Sequence, residues 1–166
     1  MDKILTRNCK PMIALILLGI FSTYSPYSNS QVLDRKTLSL EAANKVIAGA
    51  IQEAKANNWL VDIAVVDEGG NLLSFQRMDG ALIGSIDVAI GKARTASIFR
   101  RPTKVLEEAA KTRPAIVTLP NGVLLQGGVP ISVNGQTVGA VGVSGVTSQQ
   151  DEQIAEAGIR TAGFSQ

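Results

Sequence analysis

Apolar residues along the chain follow two rhythms, and these divide it into elements. From about Ser39 to Asn57, Leu40, Ala43, Ile47, Ala50, Ile51 and Ala54 recur at three- and four-residue steps, which predicts an amphipathic helix capped by Ser39. The rhythm then tightens into two short runs rich in apolar and β-branched residues, Val61 to Val66 and Leu72 to Met78. They are joined by Asp67-Glu68-Gly69-Gly70-Asn71, the signature of a hairpin with a five-residue turn. A second helical period follows over roughly Gly84 to Phe99. Its repeating positions, Ile86, Ala89, Ile90, Ala93 and Ala96, are mostly small, so its backbone can be approached closely.

Pro102 interrupts the chain, and Thr103 can cap a short helix ending near Lys111. Beyond it the pattern is strand-like. Ala115 to Leu119 and Val123 to Gln126 flank Pro120-Asn121-Gly122, and Ile131 to Val133 and Thr137 to Val143 flank the two-residue hairpin cue Asn134-Gly135. A last helix is expected from near Ser148 to about Thr161, with Ser148 and Asp151 at capping-box spacing. The order is helix, two strands, two helices, about three strands, helix. Hairpin connections imply an antiparallel sheet. The expected class is therefore α/β: a two-layer, mainly antiparallel five-stranded sheet with flanking helices, profilin-like or PAS-like.

The first thirty residues follow neither rhythm. Lys3, Arg7 and Lys10 precede ten uninterrupted apolar residues, Met12 to Phe21, and small or polar residues follow to Ser30. That is the order of a secretory signal peptide, and ten residues fall short of the about 20 needed to span a bilayer. Residues 1–30 are thus expected to be a signal peptide and residues 31–166 a single exported domain, periplasmic or secreted, with no stable membrane span after cleavage; an uncleaved anchor is the alternative.

This division changes the charge. The 16 basic and 14 acidic residues of the whole chain lose Lys3, Arg7, Lys10 and Asp2 with the leader, leaving 13 of each sign and no basic stripe for nucleic acid. The leader also holds the single cysteine, Cys9, and both tyrosines, Tyr24 and Tyr27, while histidine occurs nowhere. A Ser-His-Asp triad, a Cys-His pair, a histidine zinc site and an imidazole base are excluded.

Six segments carry a resemblance. Ala64 to Leu72 (AVVDEGGNL), Arg77 to Ala81 (RMDGA), Ala89 to Ala96 (AIGKARTA), Gly127 to Ile131 (GGVPI), Gly139 to Gly145 (GAVGVSG) and Gln150-Asp151-Glu152 occur in the order and spacing of the GlcG/HbpS-type haem-binding family, over about residues 38–163. The resemblance implies a haem or related tetrapyrrole as ligand and a homo-oligomer. Its relatives include haem-degrading proteins and domains joined to corrinoid adenosyltransferases. Three readings stay open: a haem-binding protein, an enzyme degrading haem to release iron, and a sensor or accessory module for a small organic acid or a corrinoid.

Many relatives carry histidine where this chain has Asn71, so a histidine ligand to iron does not carry over. Thr95 and Thr103 match threonine positions of the family pattern, and a threonine oxygen is associated with iron in a relative. Arg77, Lys92 and Arg94 can meet haem propionates through charge-assisted hydrogen bonds; Arg77 and Lys92 can equally pair with Asp79, Asp87 or another carboxylate. Met78 is a soft axial ligand or a core residue. The small-residue face of the second helix can accept a flat ligand, a second subunit or the sheet. Asp151 and Glu152 are accounted for by the helix cap and dipole, and the glycines from Gly139 to Gly145 do not form a dinucleotide fingerprint.

Overall fold

The computed structural model describes residues 33–164. The elements are α1 (Leu40–Ala56), β1 (Asp62–Asp67), β2 (Leu72–Arg77), α2 (Ser85–Phe99), α3 (Thr103–Thr112), a 3₁₀ segment (Pro114–Thr118), β3 (Gly128–Val133), β4 (Gln136–Ser144) and α4 (Ser148–Thr161). The strands form one antiparallel sheet in the order β2-β1-β4-β3. It therefore has four strands, not the five expected.

The fifth strand fails for a local reason. Pro114 opens a 3₁₀ segment, and the Thr118 hydroxyl donates to the Ala115 carbonyl 2.8 Å away. Residues 122–126 join no ladder and cross the surface as a strap held by side chains. The β-branched composition of Ala115 to Leu119 signals only that a half-buried pleated surface would suit it, and no strand edge is offered there.

Both faces of the sheet are covered, which makes three layers where two were expected. Period-two alternation sends Ile63 and Val65, with Val141 and Val143, into a core of branched side chains beneath α1 and α4. Ala64 and Val66, with Ala140, face α2, which presents Ala89, Ala93 and Ala96. Here small residues permit contact near backbone distance. A Cβ on Gly142 would overlap the Ala89 carbonyl and the Ala93 N–H, and one on Gly128 would overlap the Lys92 carbonyl. The small-residue face of α2 therefore receives the sheet itself.

Ser39 caps α1 as expected, its hydroxyl accepting from the Ala42 N–H. The cap of α4 shifts by one residue: Thr147 accepts from the Gln150 N–H while the Gln150 side chain accepts from the Thr147 N–H. That releases Asp151 for another task. Among the described residues no helix is long and apolar enough to cross a membrane; the expected leader lies outside them.

Candidate functional site

The residues singled out from sequence fall into two groups. Lys92, Thr95 and Thr103 converge on the strap and its continuation into β3. The Thr95 hydroxyl donates to the Gly91 carbonyl at 2.7 Å and accepts from the Val123 N–H at 2.9 Å. The Thr103 hydroxyl accepts from the Gly128 N–H at 2.9 Å. Both threonines are buried. In this arrangement their oxygens fasten the strap's two ends to α2 and α3.

Lys92 is 2% exposed. Its ammonium lies 2.7 Å from Asp151 Oδ2 on α4 and 2.9 Å from the Val143 carbonyl. Asp151 Oδ1 accepts from the Val146 N–H. Burial pushes the Asp151 carboxyl above its usual range, against the pull of Lys92 and the Val146 N–H. The pair links α2 on one face of the sheet to α4 on the other. Each charge has a partner and further hydrogen bonds, the condition under which a buried pair is tolerated. This is the role of Asp151 that capping logic hid.

Arg77, Met78 and Arg94 lie elsewhere. Arg77 is exposed at the end of β2. Met78 is half-buried against the α1–α4 core, and its N–H donates to the Val61 carbonyl. Arg94 Nε donates to the Gly70 carbonyl, and Ser97 donates to the Asp67 carbonyl; together they clamp the β1–β2 turn to α2. Inside that turn Asp67 accepts from the N–H groups of Gly69 and Asn71 and from the Asn71 side chain. Burial raises the Asp67 carboxyl, but these hydrogen bonds outweigh it and hold it below the usual carboxylate range. Asn71 is thus a turn-maker here.

The open spaces are on the outside. An apolar cleft of about 390 Å³ runs between α3 and the strap, lined by Ala110, Val117, Val123, Leu124 and Leu125, with Glu107 at its rim. Beyond Glu107 a second cleft of about 650 Å³ carries Lys104, Lys111 and Val105. Glu107 accepts from the Gln126 N–H, and the Gln126 side chain donates to Glu152, which also pairs with Lys104. Val117 and Leu125 are 65% and 49% exposed, so the cleft presents apolar side chains to solvent. Sequence reasoning missed this site because it read both flanking segments as strands.

A haem can be tested against these spaces. The interface between α2 and the sheet is closed by backbone contact and has no room for a macrocycle. Residues 33–164 contain no histidine, cysteine or tyrosine to ligate iron. The outer cleft does suit a flat apolar ring, and Lys104 and Lys111 beside it suit its carboxylates.

Residues 38–160 match a family described as "HbpS-like: Haem degrading protein HbpS-like". The chain is 49% identical over 108 residues to protein GlcG of Escherichia coli strain K12, an alignment spanning 64% of this chain and 81% of that one. Among solved structures it is similar to HbpS (TM-score 0.76, 35% identity, 79% of this chain and 94% of that one). It is also similar to a PduOC:heme complex (TM-score 0.72, 25% identity, 78% and 97%).

Proposed function

This chain belongs to the HbpS-like family, and on that premise we propose that it binds haem or a related tetrapyrrole in the cleft between α3 and the strap. The observation that carries the reading is the apolar lining of that cleft, with Val117 and Leu125 exposed and Leu124 half-buried, set beside Lys104 and Lys111. The ring lies on the apolar lining and excludes water from it, and the lysines meet its carboxylates. Residues 33–164 offer iron no histidine, cysteine or tyrosine, and Met78 packs against the α1–α4 core away from the cleft, so binding rests on the ring's surface and its charges. Neither Arg77 nor Arg94 lines the cleft, and Lys92 is buried in its pair with Asp151, whereas Lys104 and Lys111, which pair with Glu152 and Glu108, are exposed and can exchange partners.

Export belongs to the same proposal and is supported by the basic, apolar and small-residue order of residues 1–30. Titration with hemin tests the binding. A saturable Soret shift at micromolar hemin is expected, absent from free hemin run beside it; self-association across the cleft would show as one hemin for each pair of chains. Val117→Glu and Leu125→Glu, both at exposed positions, should each weaken binding at least about tenfold without loss of fold. No saturable shift overturns haem binding, and unchanged binding by both variants overturns this site.

Haem degradation is a second reading, favoured by the description of the matching family. Bound haem supplies its own oxygen chemistry, while this chain holds and shields the ring. Loss of the Soret band with a reductant, faster than for free hemin and with release of chelatable iron, would distinguish an enzyme from a carrier.

A further inference from the structure

At the far end of α2 from its N-terminus lies a polar cleft that haem binding does not use. It has a volume of about 430 Å³ and is built where four segments meet: the lead-in to α1, the β1–β2 turn, the C-terminus of α2 and the β3–β4 hairpin. Its charged lining is Arg35, Arg100 and Glu68, with the hydroxyls of Ser132 and Thr137 and the Gln136 amide between them.

Three observations set it apart from an ordinary solvated surface. Glu68 Oε2 is buried and has no hydrogen-bond partner, and a buried carboxylate oxygen left without a donor is costly. Among the described residues neither Arg35 nor Arg100 forms an ion pair, although the chain has carboxylates enough. Arg100 also has φ +53°, a left-handed conformation that a bulky side chain adopts only at a cost. Glycine or asparagine is the usual residue at such a helix end. An arginine kept against that preference points to use of its side chain.

We infer that this cleft binds an acidic α-amino acid. The protein's three charged groups, two positive and one negative, complement the ligand's two carboxylates and one ammonium. Each guanidinium takes a carboxylate through paired hydrogen bonds, and the ammonium pairs with the Glu68 carboxylate that lines the cleft. The hydroxyls of Ser132 and Thr137 satisfy remaining carboxylate lone pairs. The cleft, at about 430 Å³, admits a molecule of this size together with bridging water.

The test uses the full chain and three probes by titration calorimetry. L-glutamate carries all three groups, glutarate lacks the ammonium, and 4-aminobutyrate lacks one carboxylate. L-glutamate is expected to bind, with each of the other two at least about tenfold weaker. Glu68→Gln should bring glutamate down to the level of glutarate. Arg100→Gly should abolish binding yet raise the melting temperature of the unliganded protein by relieving the backbone, an outcome that a purely structural arginine would not give. No binding of any probe at millimolar concentration overturns the inference, as does glutarate binding as tightly as glutamate. None of these variants touches the cleft by α3, so hemin titrations of the same proteins keep the two readings separable.

Discussion

The two faces of the sheet solve the same packing problem with opposite means. Toward α1 and α4 the sheet presents Ile63, Val65, Val141 and Val143, and the layers are held apart by interlocking branched chains. Toward α2 the same strands present Ala64, Val66, Gly142 and Ala140, and the helix lies almost on the backbone. The first face gains its stability from apolar area and can shed a methyl group. The second gains less area per residue and depends on there being no side chain to interfere. The branched face is tolerant, and the thin face is not.

The sharpest way to break that contrast is to add atoms to the thin face. Gly142→Val would drive its side chain into the Ala89 carbonyl and the Ala93 N–H, both backbone atoms of a helix that cannot yield locally. The expected loss exceeds about 4–5 kcal/mol, enough to abolish cooperative unfolding by circular dichroism. On the branched face Ile131→Val, at a residue with no exposed surface, should cost only about 0.5–1.5 kcal/mol. Equal losses at the two positions would show that the faces do not differ in this way.

The next largest effect concerns the tie between the faces. Lys92→Ala leaves Asp151 buried without its ammonium and should cost about 3–5 kcal/mol. Lys92→Met keeps most of the stem's packing, and combining it with Asp151→Leu removes both charges; the double variant should recover most of the loss, because burying the pair is itself expensive. Denaturant midpoints of the four proteins measure this directly. A double variant no better than Lys92→Ala would mean that the pair holds the layers together by more than mutual neutralisation.

How far the chain could be read in advance follows the same division. The alanine stripe Ala89, Ala93, Ala96 was legible as a surface made for close approach, yet what approaches it depends on Gly142 and Gly128, far along the chain. The helices and the two hairpins at Gly69-Gly70 and Asn134-Gly135 were legible because local period and turn chemistry determine them. The strap was not. Its course depends on hydrogen bonds to Thr95 and Glu107, 28 and 19 residues away, and no local pattern encodes those. The candidate sites suffered most. Lys92 and Thr95 looked like ligand contacts because they stand on a small-residue helix, and their actual partners, Asp151 and Val123, are visible only in three dimensions. The open clefts form where α3, or the end of α2, meets segments whose local pattern suggests strands or plain turns.

The smallest effect comes from a residue that suits neither face. Asp62 stands on β1 in line with Ala64 and Val66, between Arg77 and Ser144 on the adjoining strands, and is 0% exposed. Both of its carboxylate oxygens lack hydrogen-bond partners. Burial raises its carboxyl above its ordinary value of 3.8, and the nearby Arg77 charge offsets this only in part. A carboxyl whose folded value is raised favours the folded state while protonated. That advantage is present below pH 3.8 and is lost as the pH rises through the raised value, so at neutral pH the ionised group is a burden. Asp62→Asn cannot ionise and should therefore be more stable than the parent at pH 7 by about 1 kcal/mol, with the difference shrinking toward zero below pH 3.8. Arg77→Gln, at an exposed position, should act in the opposite direction at pH 7 by removing the one opposing charge. Melting temperatures of the three proteins from pH 3 to pH 8 separate the cases. A gain from Asp62→Asn that stays flat across the range would show that the carboxyl does not titrate in the folded protein. A loss would show that Asp62 has a partner in solution.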